Sequence, residues 1–376
     1  MVQQERLLQT FFELVRIDSE TTFETEIASA LTLRWTELGL RVFEDDAPSK
    51  IKHTAGNLII NWDASSGCEA VTPIFFTSHF DTVVPGKGIQ PRLDADGYIR
   101  SDGKTILGAD DKAGLAAMIE AVQVIQEQGL PHGPIQFVLT VGEEAGLNGA
   151  RVLDASLIHA KMGFALDSNG PVGDLIVAAP TQAKIKMEVY GRSAHAGVNP
   201  EAGISAIQVA SKAISQMQLG RIDAETTANI GKFSGGGPTN IVCDYVEIDA
   251  EARSIRLERM QEVVEQMRSA LLKTAETFQA QAKMTDEIMY PAYRLEESDH
   301  VVQIAERAVR QIGRIPQLLI SGGGSDANVF NGKGIPTLNV GVGYEHIHTT
   351  KEQIPLTELV ALTDFVLAVI SQTVEA

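Results

Sequence analysis

Four short runs of almost continuous apolar residues, each closed by a turn signal, constrain this chain more than any other feature. They are Ile74-Phe75-Phe76-Thr77-Ser78, residues 135–141 (Ile-Gln-Phe-Val-Leu-Thr-Val), Met162-Gly163-Phe164-Ala165-Leu166 and Thr337-Leu338-Asn339-Val340-Gly341-Val342. Such runs read as strands buried on both faces. Helical periodicity precedes and separates them. It is clear over 5–16 (Leu7, Leu8, Phe11, Phe12, Val15), over 24–38 before Gly39, and from Ala113 to Gln128. Strands alternating with helices imply an α/β layer with a largely parallel sheet.

Between residues 181 and 293 the texture changes. From Ala183 to Tyr190 the sequence alternates, with Ile185, Met187 and Val189 on one side and Lys184, Lys186 and Glu188 on the other. A helix is expected over 200–217, strands near 226–234 and 241–253, and a helix over 257–279 with Met260, Val263, Val264, Met267 and Leu271 on one face. This β-α-β-β-α order describes a small α+β domain (181–293) inserted into a larger one (1–180 and 294–376).

A chain of 376 residues is long enough for two such cores. Its net charge of -18 argues against nucleic acid and anionic membrane surfaces as partners. Most of that charge is expected to be solvated surface. Two cysteines far apart, Cys68 and Cys243, suit a reducing compartment better than a disulfide framework. The residues after Met1 lack the pattern of a signal peptide, and no apolar run approaches the roughly 18 residues that span a bilayer. A cytoplasmic protein is expected.

The chemistry gathers where the apolar runs end. His79 and Asp81 follow the first run; a lone turn with a capping Asp would explain them as well as a metal-ligating imidazole oriented by a carboxylate. Asp110 and Asp111 stand before the helix near Ala113, where one Asp would serve as a cap. Glu143 and Glu144 follow the second run, at the end where open α/β sheets place ligands. Such a pair can divide its labour, one carboxylate binding metal and its neighbour taking a proton from water. Asp167 follows the third run and His346-Ile347-His348 the last. Singly, none is persuasive. Together, two imidazoles and three carboxylates at one sheet edge form a donor set for zinc, cobalt or manganese.

These segments, in this order, resemble the metal sites of the M20 family of metallopeptidases, and the resemblance runs through nearly the whole chain. It implies a zinc-peptidase-like catalytic domain with a mixed, largely parallel sheet. It also implies an α+β, ferredoxin-like lid domain that can carry a homodimer contact. Two divalent metal ions are implied, zinc foremost with cobalt or manganese as alternatives. His79 and Asp167 would hold one, Glu144 and His348 the other, and Asp110 both. Asp81 would orient His79, Glu143 would be the general base, and the Asp110–Asp111 peptide would be cis. In residues 191–197 (Gly-Arg-Ser-Ala-His-Ala-Gly), His195 matches the lid histidine that supports the oxyanion. Asn240 and Arg253 match lid residues that bind substrate, the guanidinium suiting a terminal carboxylate. Cys243 departs from the proline that many relatives have nearby. Gly323, in the Ser321-Gly322-Gly323-Gly324-Ser325 stretch, is a candidate for meeting a carboxylate with its N–H.

Residues 105–114 (Thr-Ile-Leu-Gly-Ala-Asp-Asp-Lys-Ala-Gly) and 348–352 (His-Thr-Thr-Lys-Glu) look most like the tripeptidase T-like aminopeptidases. The expected activity is hydrolysis of short peptides, tripeptides foremost. N-acyl-amino-acid amidohydrolase and carboxypeptidase activities remain open on the same metal core, because pocket shape decides among them. A catalytically dead relative would lack a ligand or the base, and none is missing.

Overall fold

The structure is a computed structural model that describes residues 1–375. The chain divides into two compact units. The first comprises Met1–Ala178, Leu295–Ile320 and the residues from Ser325 onward; the second comprises Ala179–Arg294 and Ser321–Gly324.

In the first unit the four apolar runs form adjacent strands of one mixed sheet. In order across it stand Arg41–Glu44, Leu58–Trp62, Ile135–Thr140, Ile74–His79, Met162–Ser168, Thr337–Gly341 and Asp174–Ala179. The central pairings are parallel: Ile74 faces Ile135 and Met162, His79 faces Thr140, and Leu338 faces Phe164. Every residue of Ile74–His79 and Ile135–Thr140 is buried, as expected for strands covered on both faces. The outer pairings of Leu58–Trp62 are antiparallel. Because the central strands run the same way, their carboxyl ends share one edge.

Helix Ala109–Gln128 covers the sheet and packs against Gln4–Val15 and Leu356–Glu375. It is buried on nearly all sides, so its apolar residues do not fall in a stripe. Its opening is irregular: Asp110 and Asp111 lack helical angles, and the peptide between them is cis. Regular helix therefore begins close to the expected Ala113. Helix Leu356–Glu375 has the length and hydropathy to cross a membrane, yet 56% of its apolar window is buried within the molecule. Its apolar character is accounted for by that packing. Stacked rings anchor the core, with Phe137 4.6 Å from Trp35 and 6.0 Å from Phe76 between centroids.

The second unit is a five-stranded antiparallel sheet, ordered Gly220–Asp223, Thr226–Gly235, Tyr245–Ser254, Thr181–Tyr190 and Gln281–Tyr290. Ile185, Met187 and Val189 face inward, as their alternation implies, and helices Ala206–Ile214 and Leu257–Thr277 pack on them. Two strands escaped the sequence, the first and last in this order. The helix expected over 200–217 is shorter. Pro200–Ala202 is a single 3-10 turn, and Ser205 caps the true start by accepting from the Gln208 N–H. The strand expected from 241 begins at Tyr245, because Ile241 forms only an isolated bridge with His195.

Candidate metal centre

The parallel strands deliver their last residues to one place. His79 ends Ile74–His79, Gly142-Glu143-Glu144 follows Ile135–Thr140, and Asp167 lies at the end of Met162–Ser168. The irregular start of Ala109–Gln128 adds Asp110, and the loop after Thr337–Gly341 adds His348. All five expected ligand residues meet. Asp110 stands between the imidazoles, one oxygen 3.0 Å from His79 Nε2 and the other 3.3 Å from His348 Nε2. Asp167 lies 3.8 Å from the same His79 nitrogen, and Glu144 3.1 Å from the same His348 nitrogen. His348 is half exposed, while His79 and Asp110 are buried.

Asp81 does more than orient an imidazole. His79 Nδ1 donates to the Asp81 backbone carbonyl at 3.1 Å, with the carboxylate farther at 3.4 Å. The carboxylate instead accepts from Thr21 Oγ1 at 2.7 Å and from the Glu143 N–H at 3.0 Å. Burial would raise the Asp81 carboxyl, but His79, Thr21 and that N–H hold it below the ordinary range. Asp110 is likewise lowered against its burial, by hydrogen bonds to His348 and His79. His348, between Asp110 and Glu144, is pushed up to about 10.

Their neighbours behave oppositely. Asp111, Glu143 and Asp167 are all held well above the carboxylate range, first by burial and then by the negative charges around them. Too much negative charge is confined here for two imidazoles to neutralise. Oxygens of Glu144, Asp111 and Asp326 are buried without a hydrogen-bond partner. Candidate ligand atoms of His79, Asp110 and Glu144 lie within 4.8 Å of one another, as do those of His79, Asp111 and Asp167. Orphaned carboxylate oxygens beside converging imidazole nitrogens fit divalent cations.

Several members of the site were not among the expected ligand or catalytic residues. Glu352 accepts from the N–H groups of Leu107 and Gly108 at 2.8 Å and of Asp110 at 3.0 Å, fixing the segment that presents Asp110. Tyr344 donates its hydroxyl to Asp167 at 3.1 Å, and Thr140 donates to Asp326. Lys112, fully buried, donates to Ser19 at 2.8 Å and is lowered to about 8, chiefly by burial. Glu352 and Lys112 lie within segments 348–352 and 105–114, which carry the resemblance, and Tyr344 lies near His348; Thr21 and Ser19 offer no such signal.

The other expected residues belong to the second unit. His195 is exposed, and its Nδ1 accepts from the N–H groups of Gly197 and Val198 at 3.1 and 3.2 Å, leaving Nε2 as the protonated nitrogen. The Asn240 segment runs beside it, the Asn240 carbonyl accepting from the Ala196 N–H at 2.8 Å. Arg253 is held by Glu251, to which its Nε donates at 2.9 Å. Gly323 donates its N–H to Ser321 Oγ at 3.0 Å, so that donor is engaged within its own loop.

The sequence profile of peptidase family M20/M25/M40 matches residues 75–372. The chain is 54% identical to the uncharacterized protein YqjE of Bacillus subtilis strain 168, covering 99% of each. It is 26% identical to peptidase T of Serratia proteamaculans strain 568, over 94% of each. Among solved structures, aminopeptidase PepT of Bacillus cereus ATCC 10987 superposes with a TM-score of 0.92 at 55% identity, over 100% of both chains. A tripeptidase of Staphylococcus aureus subsp. aureus Mu50 superposes with a TM-score of 0.97 at 47% identity, over 100% of both chains.

Proposed function

The chain belongs to peptidase family M20/M25/M40 and is a peptide hydrolase, and on that premise we propose that it is a two-metal aminopeptidase acting on short peptides, tripeptides foremost. One observation carries the two-metal reading: Asp110 directs one carboxylate oxygen toward His79 and the other toward His348. His79 and Asp167 would hold one ion and His348 and Glu144 the other, with Asp110 common to both. Divalent ions bound there, zinc or else cobalt or manganese, would polarise the scissile carbonyl and acidify the attacking water. The tripeptide preference draws on the similarity to the aminopeptidase and the tripeptidase above.

Glu143 serves as general base. Among the described ion pairs it is its neighbour Glu144 that faces His348, at 3.1 Å. Glu143 takes the proton from the attacking water and passes it to the leaving amine nitrogen. Asp81 fixes both partners of this step, through its carbonyl to His79 and through its carboxylate to the Glu143 N–H. His195, protonated on Nε2, supports the oxyanion, and Arg253 with Asn240 binds the substrate terminus.

The test is a substrate panel: a tripeptide, its N-acetyl and C-amide forms, the matching dipeptide and tetrapeptide, and N-acyl amino acids, each with zinc, cobalt and manganese. Cleavage of the free tripeptide and loss of activity on N-acetylation are expected. Preference for an N-acyl amino acid would overturn the aminopeptidase reading and leave an amidohydrolase. Glu143→Ala should retain its metal while turnover falls on the order of 10²–10⁴-fold.

A further inference from the structure

Against the Gly142-Glu143-Glu144 turn lies a buried acid–imidazole pair that no metal motif contains. His53 Nδ1 is 2.7 Å from Glu24 Oε1, and both side chains are almost wholly buried. The other His53 nitrogen accepts from Asn148 Nδ2 at 3.2 Å, which places the ring proton on Nδ1, donated to Glu24. The ring lies directly against Gly142. A Cβ added to Gly142 would stand 2.2 Å from His53 Cε1, and Gly142 has a left-handed φ of 60°. Asn148 also donates its backbone N–H to the Gly142 carbonyl at 3.0 Å.

At its other end the pair reaches the support of Asp81. Glu24 Oε1 accepts from the Thr22 N–H at 2.7 Å, and the preceding residue, Thr21, donates its hydroxyl to Asp81. Asp81 in turn accepts from the Glu143 N–H. The contacts close a ring, from Glu143 through Asp81, Thr21, Glu24 and His53 back to Gly142. A buried, hydrogen-bonded polar pair of this kind fixes direction more than it adds stability. We infer that Glu24 and His53 are positioning residues that set the angle at which the turn presents Glu143 to the attacking water. This rests on Glu143 being the base.

The Glu24 contacts define a discriminating set of variants. Both hydrogen bonds fall on Oε1, and Oε2 has no partner. The amide oxygen introduced by Glu24→Gln can therefore accept both, whereas Glu24→Ala loses both. With wild-type metal content, Glu24→Ala and His53→Ala should lower kcat by about 10–100-fold with KM within about threefold, since a misplaced base slows the step without weakening substrate binding. Glu24→Gln should stay within about threefold of wild type on the same argument. Amide hydrogen exchange at Glu143 and Leu147 should accelerate in the two alanine variants and not in Glu24→Gln. In a Glu143→Ala background, His53→Ala should cause no further fall in turnover.

Normal kcat in both alanine variants would overturn the inference. So would an equal loss with and without Glu143, which would mean that the pair acts elsewhere. Wild-type turnover in Glu143→Ala would instead remove the base assignment, and the inference with it. Should His53→Ala not fold, the Glu24→Ala and Glu24→Gln pair carries the same comparison from the other end of the ring.

Discussion

Glu352 offers the clearest test of how the metal centre is held. One carboxylate gathers three backbone N–H groups, of Leu107, Gly108 and Asp110 at 2.8, 2.8 and 3.0 Å, four residues after His348. It thereby joins the segment carrying Asp110 to the loop carrying His348. Glu352→Ala removes all three acceptors from a buried place. A hydrogen bond to a charged group contributes about 1.5–3 kcal/mol, so the gross loss is about 5–9 kcal/mol. Part of that is offset, because burial lifts the Glu352 carboxyl to about 7 and the wild type already bears a desolvation cost. Water entering the vacated space would satisfy some of the donors. A net loss of about 3 kcal/mol follows, or a drop of about 5–10 °C in Tm. Because Asp110 loses its anchor, metal affinity should also fall by about 10–100-fold, as for other groups that orient ligands from behind. Calorimetry and metal titration of the dialysed protein measure both. Glu352→Gln should separate them. Its amide oxygen can serve Leu107 and Gly108 together, leaving its NH₂ against the Asp110 N–H, so stability recovers more than metal affinity. A Tm within about 2 °C of wild type, together with unchanged metal affinity in Glu352→Ala, would refute the reasoning.

Removing the metal should expose the charge crowding. The raised carboxyls of Asp111, Glu143 and Asp167 and the raised imidazoles of His79 and His348 all bind protons more tightly when folded. Their stabilisation is complete below the unfolded pKa values and is lost as pH rises through the folded ones, so the metal-free protein should melt lower at pH 8 than at pH 5. Added zinc should raise Tm more at pH 8, and a flat profile without metal would contradict this. His195→Ala should lower kcat while metal content holds, as metal analysis and steady-state kinetics would reveal; unchanged kcat would remove its role. Phe137→Ala should cost about 3–5 kcal/mol in urea denaturation, because the ring is fully buried between Trp35 and Phe76. A loss below about 1 kcal/mol would mean that the core collapses around the cavity.

The sequence by itself determined the strands that matter and the end at which chemistry sits. Short apolar runs separated by amphipathic helix can bury both faces only in a parallel layer, and parallel strands share a carboxyl edge. His79, Glu144 and Asp167 each follow such a run, so their meeting is nearly implied by their position along the chain. The alternation of Ile185, Met187 and Val189 fixed the inward face of the second unit in the same local way. Local pattern was silent on strands Gly220–Asp223 and Gln281–Tyr290, which are mostly exposed and carry no regular alternation. It also began helix Ala206–Ile214 too early, at Pro200, where the structure has only a 3-10 turn. Only tertiary structure decided what holds these side chains in place. Thr21 reaches Asp81 across 60 residues and Glu352 reaches the Leu107 N–H across 245. Nothing near His53 in the chain announces that its ring lies against Gly142. The Ser321–Gly324 stretch, flanked by residues of the first unit, belongs to the second, where the Gly322 carbonyl accepts from Arg253. A ligand can be read from its place at a strand end because strand periodicity is local. The partner of a buried polar group cannot, because it is whichever side chain the completed packing leaves within hydrogen-bonding reach.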